Sequence, residues 1–152
     1  ALPDDSVLNK LKDKVRLIAI SHAHLDHVGA VPYMAQHYNA EIAGTPYTME
    51  VLKAILKDTG ISLKNNLRTV MPNSSFIVKG KSGEYKVEFI NMTHSTLQTA
   101  MIVLHTDKGA IVYPNDFKFD NTPILGQKPN YERLKEIATQ GKGVFARPFT
   151  IW

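Results

Sequence analysis

The chain has 152 residues, a formal net charge of +4 and 43% hydrophobic residues, as expected for one globular domain. It contains no cysteine, which excludes disulfides and thiolate metal sites and fits either a cytoplasmic or a thermophilic protein. No apolar run approaches the roughly 20 residues of a membrane span, and the acidic start is unlike a signal peptide. We therefore expect a cytoplasmic protein that has no membrane partner.

The first half of the chain alternates apolar runs with helical patterns. The nearly continuous apolar run at residues 15–20 predicts a strand that is buried on both faces. Helices are predicted over residues 6–14, with Ser6 as cap, over 28–38, and over 46–58, with Thr45 as cap. Short strands are predicted over residues 41–43 and 67–71.

The second half contains two predicted hairpins and a helix. Strands over residues 76–79 and 85–92 flank a glycine-containing turn, and strands over 100–106 and 110–113 flank Asp107-Lys108-Gly109. Between residues 85 and 89 apolar and charged side chains alternate, so Glu88 is predicted to face solvent. A helix over residues 130–140 should end at Gly141. Hairpins combined with helix-separated strands indicate an α/β or α+β fold, with helices packed on sheet.

The strongest chemical signal is Ser-His-Ala-His-Leu-Asp-His at residues 21–27, directly after the first predicted strand. His22 and His24 are two residues apart and can face the same side. Asp26 and His27 lie past the turn and would point at a second position nearby, although Asp26 could instead cap a helix. Because imidazole and carboxylate are ligands that Zn²⁺ takes, this loop predicts half of a metal site, one that holds two ions.

Two later positions could complete such a site. His94 follows the strand that ends near residue 92, and Asp116 follows the strand over 110–113, where its two carboxylate oxygens could bridge two ions. Considered alone, a histidine or aspartate at such a position is usually structural, but the first motif favours the metal interpretation for both. We predict structural roles for His37 and His105.

These motifs resemble the metallo-β-lactamase superfamily, whose signature is His-x-His-x-Asp-His followed by separate His and Asp motifs. The stretches around residues 24–30 and 116–120 are similar to its β-CASP RNA-processing branch, and within it to the archaeal ribonuclease J family. The likeness covers about residues 1–143. It implies an αββα sandwich that is incomplete, lacking strands of the first sheet and a C-terminal part. Residues 1–144 would form this partial domain, and residues 145–152 a tail of unclear origin.

The resemblance also implies roles for the candidate residues. His22, His24 and His94 would hold one zinc ion, Asp26 and His27 a second, and Asp116 would bridge the two. The second ion would lack one protein ligand, because no histidine follows His105. A hydroxide generated by the two zinc ions would attack a phosphodiester, with Asp26 and Asp116 as catalytic residues. Thr93, Ser95 and Lys118 adjoin the ligands and would orient the imidazole rings or contact phosphate, Ser95 and Lys118 being the predicted substrate-binding residues.

Three functions remain open from the sequence. The first is a metal-dependent hydrolase of RNA, which the positive charge and the ribonuclease J likeness favour. The second is an ester, thioester or lactam hydrolase with the same metal core. The third is a non-catalytic metal-binding fragment. Mn²⁺ or Fe²⁺ would accept the same ligands as zinc. The missing sheet strands would leave apolar surface bare, so we also predict a homo-oligomer.

Overall fold

A computed structural model describes residues 4, 6–139 and 143–145 of the chain. In this part of the chain the helices are α1 (Ser6–Asn9), α2 (Leu25–Val28), α3 (Val31–Met34), α4 (Pro46–Thr59) and α5 (Tyr131–Thr139). The strands are β1 (Leu17–Ile20), β2 (Glu41–Gly44), β3 (Leu67–Thr69), β4 (Ser74–Gly80), β5 (Gly83–Asn91), β6 (Ala100–Thr106), β7 (Gly109–Tyr113) and β8 (Gly143–Phe145). The predicted helix stop at Gly141 lies outside the described residues, and so does the predicted tail over residues 145–152 apart from Phe145, which ends β8.

The described strands form two sheets. The first has the order β1-β2-β3 and is parallel throughout, because helices connect its strands and a parallel pair needs such a crossover. The second has the order β4-β5-β6-β7-β8. Tight hairpins join β4 to β5 and β6 to β7, and a longer loop over residues 92–99 joins β5 to β6, so these four strands are antiparallel. Strand β8 pairs in parallel with β7.

Three buried apolar clusters separate four layers. One lies between the two sheets and includes Ala43 of β2 and Phe89 of β5. A second joins the outer face of the first sheet to α3 and α4, with Leu52 fully buried at its centre. The third joins the outer face of the second sheet to α5 through Ile137. The order helix, sheet, sheet, helix is the αββα sandwich expected from the sequence.

Helix α4 matches its prediction closely. Thr45 occupies the N-cap position and Pro46 the first turn, and Gly60 ends the helix with a left-handed φ of 68°. The Thr45 hydroxyl bonds the Thr48 hydroxyl instead of a backbone N–H. The side chain of Gln98 accepts the Tyr47 N–H at 2.8 Å, so a loop of the second sheet supplies this part of the cap.

Two predicted helices are wrong in extent. The segment 28–38 divides into α2, α3 and a 3-10 turn, since Pro32 has no N–H to donate to the carbonyl of Val28. The segment 6–14 divides into α1 and a 3-10 turn at Lys12–Lys14. None of the residues of α1 is buried, so no packing favours a longer helix. Asp4, not Ser6, accepts the first N–H of α1.

The predicted exposure of Glu88 is also wrong: this residue is only 6% exposed. Arg133 of α5 donates from Nε to Oε1 at 2.7 Å and from Nη2 to Oε2 at 3.1 Å. His105 Nε2 lies 2.7 Å from the same Oε2. Burial acts to raise the pKa of Glu88, but the hydrogen bonds of Arg133 and His105 outweigh it and lower that pKa. The alternation in the sequence could not show that α5 covers this face.

We predict that Glu88→Gln lowers the free energy of unfolding at pH 7 by about 3 kcal/mol, because it leaves Arg133 without its buried carboxylate. The difference in unfolding free energy between wild type and Glu88→Gln should be fully present above the ordinary carboxyl pKa. It should vanish as the pH falls through the lowered pKa of Glu88. Urea unfolding at pH 7 and at pH 3 measures both effects. Glu84→Gln, an exposed position on the same strand, serves as control and should change stability by less than about 0.5 kcal/mol. Equal effects of the two variants would contradict this account.

Candidate metal centre

The candidate ligands lie in loops that follow three strands. The first motif follows β1, His94 follows β5 and Asp116 follows β7. The Ala100 N–H donates to the Ser21 carbonyl at 2.9 Å, which joins the β1 loop to the second sheet. Thr93 and Lys118 form an isolated β-bridge, with the Lys118 N–H 2.6 Å from the Thr93 carbonyl. These contacts fix the three loops against one another at one edge of the sandwich.

Four side chains converge at this edge. His22, His24, His94 and Asp116 each present a ligand atom, and these atoms all lie within 4.8 Å of one another. His22 Nε2 is 3.1 Å from His24 Nδ1, and His94 Nε2 is 3.2 Å from the same atom. Asp116 Oδ2 lies 3.9 Å from His22 Nε2 and 3.9 Å from His94 Nε2.

Asp26 and His27 form a second group beside the first. His27 Nε2 lies 3.4 Å from Asp26 Oδ2 and 3.4 Å from Asp116 Oδ2. The same oxygen of Asp116 therefore faces both groups, whereas the sequence suggested one oxygen for each ion. Asp26 lies in the first turn of α2, whose N-cap position belongs to His24, so Asp26 does not cap this helix. Its side chain is 78% exposed.

The spacing of these atoms fits a metal ion. Four ligands about 2.1 Å from a tetrahedral zinc ion stand roughly 3.4 Å from one another. The contacts described above for the first group, from 3.1 to 3.9 Å, bracket that distance, and both contacts of His27, at 3.4 Å, match it. Ring nitrogens that face each other at such distances cannot all carry hydrogens. A cation between them would satisfy their lone pairs together.

Polar neighbours orient two of the rings. Ser95 Oγ lies 3.2 Å from His24 Nε2, on the side of the ring away from the convergent group. Ser21 Oγ lies 3.0 Å from His22 Nδ1, and the Asn115 amide nitrogen lies 3.2 Å from the same atom. Ser21 and Asn115 are not among the site residues predicted from the sequence. Their adjacency to His22 and Asp116 was the available signal, but 93 residues separate Asn115 from His22.

The remaining candidates lie around this centre. The Thr93 hydroxyl donates to the Lys118 carbonyl at 2.6 Å, so Thr93 holds the loop backbone and not an imidazole. Lys118 is exposed, and its charge acts on His94. His37 lies in a 3-10 turn and His105 on β6, and neither belongs to the convergent group found among the described residues.

Burial keeps the central imidazoles neutral. Loss of solvent lowers the pKa of His22 to about 4, with further lowering by the charges of His27, His94 and His24 and an opposing effect of Asp116. The pKa of His94 is also lowered, by burial first and then by His24, while Asp116 again opposes. A neutral imidazole has the free lone pair that a metal ion requires.

We predict that the metal-free protein loses stability as the pH falls from 6.5 to 4. In this window unfolded His22 takes up a proton that the folded state excludes, so acidification favours unfolding. The contribution of His22 reaches roughly 3 kcal/mol at the acidic end. Urea unfolding in the presence of a chelator, at half-unit pH steps, measures it. The slope of the unfolding free energy against pH should decrease by about one proton in His22→Gln. The same slope should persist in His37→Gln. An unchanged slope in His22→Gln would contradict the assignment.

Three imidazoles and a carboxylate that converge at the edge of an αββα sandwich form a candidate metal centre. The chain belongs to the metallo-beta-lactamase superfamily, whose family model matches residues 5–128. This confirms the resemblance predicted from the sequence. Within the described residues, no helix has the length and apolar character needed to cross a membrane.

Curated relatives are ribonucleases J. That of Methanocaldococcus jannaschii is 42% identical over 141 residues, which is 92% of this chain and 31% of the relative. That of Pyrococcus abyssi is 43% identical over 144 residues, covering 93% of this chain and 31% of the relative. That of Helicobacter pylori is 30% identical over 140 residues, covering 92% of this chain and 20% of the relative. The chain thus spans less than a third of the length of these relatives.

Proposed function

We propose that this chain forms the metal centre of a ribonuclease J-like hydrolase that cleaves RNA phosphodiester bonds with two zinc ions. The observation that carries the proposal is the convergence of His22, His24 and His94 with Asp116 in a chain whose relatives are named ribonuclease J. A cytoplasmic location belongs to the same proposal, as does a domain spanning residues 1–144.

Each ligand has a distinct place in the proposed site. His22, His24 and His94 would hold the first ion, Asp26 and His27 would hold the second, and Asp116 would contribute its carboxylate to both. Zinc suits three imidazoles and a carboxylate, although Mn²⁺ or Fe²⁺ accepts the same donors. Among the described residues the second ion would have one protein ligand fewer than the first, so we expect this chain to bind it more weakly. When bound, the ions would lower the pKa of a shared water to about 7 and offset charge on the phosphoryl oxygens.

The exposed residues of the centre face the substrate in this proposal. Asp26 is the most exposed ligand, and its carboxylate can accept the proton that the attacking water releases. Lys118 is exposed beside His94 and can bind a phosphate oxygen as a point charge. Ser95 lines a cleft of about 390 Å³ that opens next to His94 and gives room for a nucleotide.

RNA is favoured over an ester or lactam substrate by two observations. The relatives are named ribonucleases, and the net charge of +4 suits a polyanion. Superfamily membership alone does not choose between these substrates, because the same ligands serve either hydrolysis. The choice therefore depends on an assay.

We predict that the zinc-loaded chain hydrolyses 5′-monophosphorylated single-stranded RNA and that a chelator abolishes this activity. Asp26→Asn and Asp116→Asn should each lower the rate at least about 100-fold, because both remove a carboxylate from the ligand set. Asp58→Asn, which changes an exposed aspartate at the end of α4, should leave the rate unchanged.

Two other results would replace the proposal. Hydrolysis of a chromogenic ester but not of RNA would indicate an ester-type hydrolase. Metal binding without hydrolysis of either substrate would indicate a non-catalytic metal-binding fragment. Metal analysis of the dialysed protein distinguishes two bound ions from one.

We also propose that the chain self-associates through β1. Among the described strands β1 pairs only with β2, so its other edge presents unpaired backbone groups. Beside this edge an open cavity of about 1120 Å³ lies between the sheets, with Leu17, Val78 and Leu104 in its apolar lining. A second copy that pairs along the same edge would cover both features by two-fold symmetry. Light scattering over a concentration series should show a dimer, and a monomer at micromolar concentration would contradict it.

A further inference from the structure

We propose that Asn115 is a positioning residue that acts through Ser21 on the ring of His22. In the proposed role, Asn115 and Ser21 keep the imidazole N–H hydrogen of His22 on Nδ1. The other ring nitrogen, Nε2, then has a free lone pair for the metal ion. The inference rests on the metal centre of the proposed function and adds two residues to it. Neither of them is a metal ligand in that proposal.

The three side chains form a closed, buried contact. Ser21 Oγ is 3.0 Å from His22 Nδ1, the Asn115 amide nitrogen is 3.2 Å from that atom, and the same amide contacts Ser21 Oγ. Ser21 and Asn115 are each 4% exposed and His22 is fully buried. In such surroundings each polar hydrogen needs an acceptor in the protein. Outside the three side chains, the Tyr113 hydroxyl lies 3.5 Å from Asn115 Oδ1, where it can donate to an amide oxygen or accept from an amide nitrogen.

The hydrogen count allows two arrangements. With the Asn115 nitrogen towards Ser21, the Ser21 hydroxyl accepts from the amide and donates to His22 Nδ1, which leaves the imidazole hydrogen on Nε2. With the amide oxygen there instead, the Ser21 hydroxyl donates to Asn115 and accepts from Nδ1–H. A half turn of the amide interconverts the two, since its oxygen and nitrogen occupy equivalent positions. The second arrangement alone leaves Nε2 of His22 free for a metal ion.

The backbone of Asn115 suits this role. Its φ of 54° lies in the left-handed region, which asparagine adopts more easily than most residues. Ser21 follows β1 of the first sheet and Asn115 follows β7 of the second, so the relay joins the two sheets behind the metal centre. Asn115 also directly precedes Asp116, and the same residue therefore aligns a ring from one sheet with a carboxylate from the other.

The test compares the zinc affinity of wild type with that of two variants at position 115 and one control variant. Asn115→Gly keeps the left-handed backbone free of strain but removes the amide, and should weaken binding of the first ion about 10- to 100-fold. Asn115→Asp restores an acceptor for the Ser21 hydroxyl and should bind within about threefold of wild type or more tightly. Competition with a chromogenic chelator at pH 7 measures these affinities.

Asn73→Gly is the matched control. Asn73 is also left-handed, with φ 62°, and its side chain accepts hydrogen bonds from the Asn91 N–H and from Asn130, outside the convergent group. This variant should lower the melting temperature and leave zinc affinity unchanged. It separates a general loss of stability from a specific loss of His22 orientation.

A second readout follows the His22 hydrogen itself. In the zinc-loaded wild type, long-range ¹H–¹⁵N NMR should show a slowly exchanging proton on Nδ1 of His22, because that proton is donated into a buried relay. In Asn115→Gly its exchange should be faster, and in Asn115→Asp it should stay slow. Zinc affinity does not enter this measurement once the site is saturated.

Three results would overturn the inference while the proposed function stands: wild-type zinc affinity in Asn115→Gly, an Asn115→Asp variant as weak as Asn115→Gly, or an equal loss in Asn73→Gly. A wild-type chain that binds no zinc would overturn the proposed function, and this inference with it. The two failures are therefore distinguishable in one experiment.

Discussion

Asp116 Oδ2 lies 3.4 Å from His27 Nε2 and 3.9 Å from the Nε2 atoms of both His22 and His94. This one carboxylate oxygen brings together side chains from loops of both sheets. Its position depends on how the two sheets stack, because Asp116 follows β7 whereas the first motif follows β1. The apolar cluster between the sheets and the Ala100 to Ser21 hydrogen bond set that stacking. The stacking of the two sheets thus fixes the distances between the imidazoles and the carboxylate.

The site has an electrostatic logic that follows from burial. Removing His22 from water makes its charged form unfavourable, and three nearby imidazoles add to this effect. His22 and His94, whose pKa values burial lowers, lie with two further imidazoles around one carboxylate, so that ring nitrogens face each other at short distance. A bound cation would accept these nitrogen lone pairs. The burial and crowding that disfavour protonation of the metal-free site therefore favour binding of a metal ion. The stability of the protein and the affinity of the site are therefore linked through the same side chains.

The sequence predicted those features that local pattern determines. The hairpin around Asp107-Lys108-Gly109 and the strand over residues 100–106 match β6 and β7 because turn residues and strand patterning lie next to each other in the chain. The histidines of the first motif could be recognised because their spacing on a strand end is itself the signal. Pro32 is a local cause of one departure from the prediction, but at two other places a distant element is the cause. Glu88 is buried by Arg133, which lies 45 residues away, and the N-terminus of α4 is completed by Gln98.

Ser21 and Asn115 show the same limit at the centre itself. A serine before a histidine and an asparagine before an aspartate are unremarkable in sequence, since each is common in turns. They gain meaning only when two sheets bring them into a closed contact around one ring nitrogen. Ligand types can be read from spacing, but the groups that set ligand orientation come from whichever segment the fold places behind them.

The side chains of the centre differ in solvent exposure from one side of it to the other. The His22 side chain is fully buried, His94 is 14% exposed and Asp26 is 78% exposed. Ser21 and Asn115 close the side that holds His22, so among the described residues the side of Asp26 is the more open to solvent. A buried side chain of the centre holds its geometry, and an exposed one can exchange protons with water. His22 and His27 carry the same imidazole ring, but the side chain of His22 is fully buried and that of His27 is 23% exposed. What each residue can do in the proposed site therefore depends on how deeply the fold buries it, and not on its chemistry alone.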